Sequence, residues 1–110
     1  MSTRLLASER QAVLLAAFTH LGQQASCSLL AVSAREAGLL EDDVEALLGG
    51  GVPRDKRLAA LAATALLLLD SSGTLTGVDL ADLEAAGIEH VDQIEVAALV
   101  GIEIRISGRG

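Results

Sequence analysis

Residues 58–69 read LAALAATALLLL, twelve positions of which only Thr64 is polar. Leu and Ala are strong helix formers, and neither Gly nor Pro interrupts them. The stretch predicts a helix that is apolar on all sides, hence central and fully buried. It falls well short of the roughly 20 residues a bilayer-spanning helix needs. The charged opening Arg54-Asp55-Lys56-Arg57 and the stop Ser71-Ser72-Gly73 bound this helix at about 54–70.

The rest of the chain has the same character. Of its 110 residues 51% are hydrophobic and 40 are Leu or Ala, while Phe18 is the single aromatic. That composition excludes a disordered chain and a disulfide scaffold. Scarce β-branched and aromatic residues argue against a β-sandwich. The length fits one domain, 1–110. So small a globule leaves much apolar surface with few polar residues to cover it, which predicts burial between subunits in a homo-oligomer. A net charge of −7 with scattered basic residues offers no stripe for nucleic acid and no attraction to anionic membranes. Glu9 and Arg10 break the N-terminal apolar segment, so no signal peptide is expected. The lone Cys27 has no intrachain partner. A cytoplasmic protein is the default expectation.

Working outward, Ser8 with Gln11 reads as a capping box, opening a helix over about 8–21 that ends near Gly22. A second helix over about 24–37 stops at Gly38. Glu41, Asp42 and Asp43 favour a helix N-terminus and open a short third helix, 41–48. Gly49-Gly50-Gly51-Val52-Pro53 is the clearest break and reads as a loop within one domain. Thr76 with Asp79 caps a fifth helix, 77–86, stopped by Gly87. A sixth begins near 90 and is taken to about 105, although Ile102-Glu103-Ile104-Arg105-Ile106 alternates with the period of a strand. The expected fold is all-α, a single compact bundle of about six helices.

The stretch from Glu9-Arg10-Gln11 through Ala37-Gly38-Leu39 resembles the carboxymuconolactone decarboxylase/alkylhydroperoxidase D-like (AhpD-like) family. So do the acidic helix Glu41–Leu47, the segment Asp55–Leu61, and Leu80–Ile88 followed by Ile94-Glu95-Val96. The resemblance covers nearly the whole chain and rests on the order and spacing of these pieces. It implies a six-helix bundle assembling as a trimer or hexamer. In the family's redox branch a Glu on the first helix is followed twelve residues later by Cys-x-x-Cys, with a His four residues beyond. Aligned without gaps, Gln11 stands at the Glu position, Gln23 and Ser26 at the Cys positions and Leu30 at the His position. None of the four titrates near neutral pH. A seryl hydroxyl without an adjacent base is a poor nucleophile. The decarboxylase branch also carries a His on this helix, which Leu30 does not supply.

Other candidates weigh as follows. Cys27 lies one residue past the second Cys position, about 100° around a helix. It reads first as a small buried hydrophobe and second as a one-cysteine peroxidase or redox-sensing thiol. His20, near the end of the first helix, reads as a capping or surface group before a partner for Cys27. His90, beside Glu89 and Asp92, lacks metal-ligand spacing. Glu41, Asp42, Asp43 and Glu45 lack the pattern of a calcium loop and read as a solvated helix start. Gly49–Gly51 is not a P-loop. No metal and no cofactor are expected.

Three functions compete. The first is a non-catalytic AhpD-like binding or assembly module, its old pocket lined by Gln11, Gln23, Ser26 and Leu30 and open to a small polar ligand. The second is a weak alkylhydroperoxidase working through Cys27, with His20 as its weaker companion. The third is a cysteine-independent lyase of the decarboxylase type using a repositioned acid, Glu9 or Glu36.

Overall fold

The computed structural model describes residues 5–106. Its chain runs through α1 (Ala7–His20), α2 (Gln24–Glu36), α3 (Glu41–Leu48), α4 (Lys56–Asp70), β1 (Thr74–Leu75), α5 (Gly77–Ala85), α6 (His90–Val100) and β2 (Arg105–Ile106). The molecule is mostly helical, as the Leu/Ala composition requires.

Two helices organise the interior. Helix α1 packs against α2, α3, α4 and α6, and α4 packs against α1 and α6. Their facing sides divide the apolar core in two. Ala12, Leu15 and Ala16 of α1 join Leu58 and Ala62 of α4 and the inner faces of α2 and α3. Val13 of α1 joins Leu61, Ala65 and Leu68 of α4 in a second cluster with Leu75, Leu83, Ile88 and Val96. The expectation that α4 is buried on every side needs correction. Ala63 is exposed and Leu66, Leu67 and Leu69 are half-buried, because two core faces do not cover the whole circumference of a helix. Thr64, the polar residue in its apolar run, is fully buried and donates its hydroxyl to the Ala60 carbonyl at 2.8 Å, the local solution for a buried helical hydroxyl.

The helix starts follow local chemistry, with one correction. Asp55 caps α4 by accepting from the Leu58 N–H at 3.0 Å. Thr76 and Asp79 form the expected reciprocal box at α5. Ser8, however, does not cap α1. The helix begins earlier, with Leu6 as its cap residue, because Glu9 Oε1 reaches back to accept the Leu6 N–H at 2.9 Å.

The largest departure is at the end of the chain. Helix α6 stops at Val100, not near 105. Gly101 turns left-handed at φ 74°, and the Ile102 N–H returns to the Ala97 carbonyl at 2.8 Å. This is a common helix stop that only glycine adopts without strain. Beyond it β2 pairs in parallel with β1, Thr74 against Arg105 and Leu75 against Ile106. The period-two alternation of 102–106 was therefore the right signal. The Arg105 N–H also donates to the Gly73 carbonyl at 2.7 Å. Gly73 has φ +86°, and a Cβ there would collide with the Glu103 carbonyl and the Ile102 side chain. The returning segment thus needs glycine at position 73 for two separate reasons.

Candidate functional site

The head of α2 is where the resemblance puts chemistry. Gln23 is its exposed cap residue. Ser26, three residues on, is half-buried, and so is Leu30, which packs against the first core cluster. Gln11 on α1 is half-buried, with its side-chain carbonyl oxygen enclosed and lacking a hydrogen-bond partner. A cavity of about 270 Å³ opens beside this helix start. Thr19, Gln23, Gln24, Cys27 and Ser28 line it together with Gly22 and Leu48. Of the four motif-equivalent residues only Gln23 is part of that lining.

Cys27 is buried, 6% exposed, and still reaches the cavity. Its Sγ lies 3.4 Å from Thr19 Oγ1. A hydroxyl can share a weak hydrogen bond with a thiol but cannot hold its proton as a base does. The lining offers amides, hydroxyls and one thiol, and no carboxylate, imidazole or ammonium group.

His20 is bound elsewhere. Its Nε2 lies 2.9 Å from Asp70 Oδ1, tying the end of α1 to the end of α4 at an exposed position. It lines a separate cavity of about 110 Å³ with Ala16, Leu47 and Ala62. Thr19 borders both cavities and stands between the thiol and the imidazole side.

Ionisable groups converge at the opposite ends of the helices. The Arg57 guanidinium on α4 meets Glu9 of α1 (Nε to Oε2, 3.2 Å) and Asp92 of α6 (Nη2 to Oδ1, 3.2 Å), and donates through Nη1 to the Gly87 carbonyl at 3.1 Å. Asp92 is fully buried and Glu9 nearly so. Partial burial works against the Arg57 charge, but the bonds to Asp92 and Glu9 outweigh it and hold its pKa above the ordinary value. Asp92 also accepts the Glu89 N–H at 3.0 Å. Glu9 thus has one oxygen on a backbone N–H and the other on a guanidinium, an arrangement suited to holding helices together. Glu36, the other acid considered for a lyase, is exposed near the end of α2.

The acidic run at α3 is also more structural than a solvated helix start. Asp43 is 2% exposed and accepts the Arg54 N–H at 2.8 Å, anchoring the exit of the glycine-rich loop. Glu41 takes a two-pronged bond from Arg35, Nε to Oε2 at 2.7 Å and Nη2 to Oε1 at 2.8 Å. That bond holds the Glu41 carboxyl below its ordinary pKa. Asp43, Asp55, Glu9 and Arg57 border a cavity of about 190 Å³ at the starts of α1, α3 and α4.

Sequence reading missed the Arg57 hub and the Thr19–Cys27 contact. Local signals for the hub exist: Glu9 stands three residues after Leu6 and Asp92 three after Glu89, the spacing of a side chain that back-bonds to a helix cap. His90 is exposed on the rim of a groove beside α6. Among the described residues no three His, Cys, Asp or Glu side chains form a cluster that could hold a metal ion, and no helix is long and apolar enough to cross a membrane. No family model, curated protein or solved structure matches the chain.

Proposed function

We propose that this chain is a non-catalytic, self-associating binding module on an AhpD-like helical scaffold, and that the cavity at the head of α2 takes a small, uncharged, polar molecule. One observation carries the reading: the cavity lining contains amides, hydroxyls and a buried thiol but no acid or base. Thiol and acyl chemistry both need a group that takes up and returns a proton near neutral pH. Gln11, Gln23, Ser26 and Leu30, at the positions the family uses for that purpose, do not supply one. Amides and hydroxyls instead favour hydrogen bonding to a neutral ligand.

A second reading has one observation in its favour, since the Cys27 sulfur does reach the cavity. As a peroxidase, its thiolate would attack a hydroperoxide, releasing an alcohol and leaving a sulfenic acid for an external dithiol to reduce. Hydroperoxide consumption in the presence of a dithiol, measured for the wild type and for Cys27→Ala, separates the two. The binding module shows no turnover above the uncatalysed rate in either protein, and its native thiol labels far more slowly than the denatured one. Turnover that disappears in Cys27→Ala overturns the proposal and establishes the peroxidase.

A further inference from the structure

The cavity of about 190 Å³ at the starts of α1, α3 and α4 shares no lining residue with the one at the head of α2. Each helix start brings one carboxylate to it: Glu9 from α1, Asp43 from α3 and Asp55 from α4. The fold uses Glu9 in full, one oxygen on the Leu6 N–H and the other on Arg57. Asp55 caps α4 and is exposed. Asp43 is different. It is 2% exposed, and one of its oxygens accepts the Arg54 N–H. Its other oxygen has no hydrogen-bond or ion-pair partner among the described residues.

The cations close at hand do not serve Asp43. Arg54 carries its guanidinium to the exposed Asp42, at 3.8 Å. Arg57, which lines the cavity, is taken by Glu9 and Asp92. A carboxylate withdrawn from water is costly unless a cation or further donors meet it. The helix starts offset part of that cost, each acting as about half a positive charge. With Asp92 counted, four carboxylates stand against Arg57 and three helix ends. The balance is roughly one and a half negative charges left over.

The other walls describe the rest of a ligand. Leu39 and Leu58 are core residues that also reach the cavity, and the exposed Leu6 and Leu40 stand at its mouth. Ser8, displaced from the capping role, keeps a hydroxyl with no partner among the described residues. An ammonium group carries three donors, and the free oxygens of Asp43, Asp55 and Ser8 are three acceptors. The acids are not gathered as metal ligands would be among the described residues. An aliphatic stem uses leucine walls that a bare ion would not. At about 30 Å³ for a water-sized group, the space takes roughly six heavy atoms. We propose that this cavity binds a short aliphatic primary amine, its ammonium on Asp43 and its stem against Leu39, Leu40 and Leu58.

This site is independent of the one in the proposed function, and either can fail without the other. The probe is 1,4-diaminobutane, which matches the cavity in size. Backbone amide shifts are followed by NMR at neutral pH as it is added to the wild type, Asp43→Asn and Asp42→Asn. The Arg54 amide, bonded to Asp43, is the reporter. Asp43→Asn keeps a carbonyl oxygen for that amide and removes the charge, and urea unfolding checks that it folds. A molecule this small binds at about a millimolar. The expected result is a saturable shift confined to the three helix starts. Asp43→Asn should weaken it at least about tenfold, and Asp42→Asn, exposed on the same helix, by less than about twofold. Asp55→Asn, an equally good cap, should weaken it several-fold and supplies the reading if Asp43→Asn does not fold. Equal losses in Asp42→Asn and Asp43→Asn, or shifts that never saturate, would mean diffuse attraction to an acidic surface and overturn the proposal. Equal binding of 1,4-butanediol, which has no charge, also overturns it. So does saturation of the same amides by calcium ions at lower concentration than the amine.

Discussion

Replacing Arg57 by Leu removes the cation that holds α1, α4 and α6 together at one end of the bundle. In the native protein its guanidinium lies 3.2 Å from both Glu9 and Asp92, whose side chains are 11% and 0% exposed. Arg57→Leu keeps most of the apolar stem but strands two carboxylates in places water barely reaches. Breaking a buried ion pair from one side costs about 3–5 kcal/mol. The Arg57 side chain is 32% exposed, so water can partly replace it, and the lower end applies, about 3 kcal/mol. For a domain of this size that is a fall of about 12 °C in Tm, and a shift of about 2 M in the urea midpoint at a slope near 1.5 kcal/mol/M. Urea unfolding followed by circular dichroism at neutral pH measures it. Arg57→Lys keeps the charge and loses the fork, and should cost about 1 kcal/mol. Adding Asp92→Asn to Arg57→Leu should return part of the loss, because the worst-placed charge is gone. A loss under about 1 kcal/mol for Arg57→Leu, or no recovery on adding Asp92→Asn, would refute the claim that the hub holds buried charge in balance.

Other substitutions probe separate parts of the fold. Gly73→Ala forces a side chain into a left-handed backbone position against Glu103 and Ile102; it should lower stability by about 2–4 kcal/mol and remove hydrogen-exchange protection from the Arg105 amide. Leu61 is fully buried in the second core cluster, so Leu61→Ala should cost about 3 kcal/mol in chemical unfolding. Arg35→Ala should let the Glu41 carboxyl, now held down by its bond from Arg35, rise toward the ordinary glutamate range in a carboxyl NMR titration. Because the folded value lies below the unfolded one, this pair stabilises above the unfolded pKa and is lost as pH falls through the folded value. The wild type and Arg35→Ala should therefore converge in stability in acid.

What the sequence makes legible is mostly local. Asp79 three residues after Thr76, and Gly38 and Gly87 after apolar runs, mark helix ends through contacts only a few residues apart. At α1 two local offers competed, Ser8 as cap and Glu9 as back-bonding acid, and Glu9 prevailed with Leu5 buried just ahead of it. At the other terminus the alternation of 102–106 was visible, but its partner was not. Thr74–Leu75 is too short for a periodic signal and becomes a strand only because β2 returns some thirty residues later. The same distance hides the Arg57 hub, which joins residues 48 and 35 positions apart. At the head of α2 the residue types were legible, including the lack of titrating groups at positions 11, 23, 26 and 30. That Thr19 would meet the Cys27 sulfur across the turn between α1 and α2 depended on the packing angle of two helices.

The proposed function holds that a redox-type scaffold persists here without its thiol pair and proton relay. Hydroperoxide consumption with a dithiol reductant, compared between the wild type and one variant carrying Gln11→Glu, Gln23→Cys, Ser26→Cys and Leu30→His, tests this most directly. The expected result is an inert wild type and measurable, thiol-dependent turnover in the restored variant. A folded variant with both new thiols reduced and no turnover, or a wild type whose turnover depends on Cys27, would contradict it.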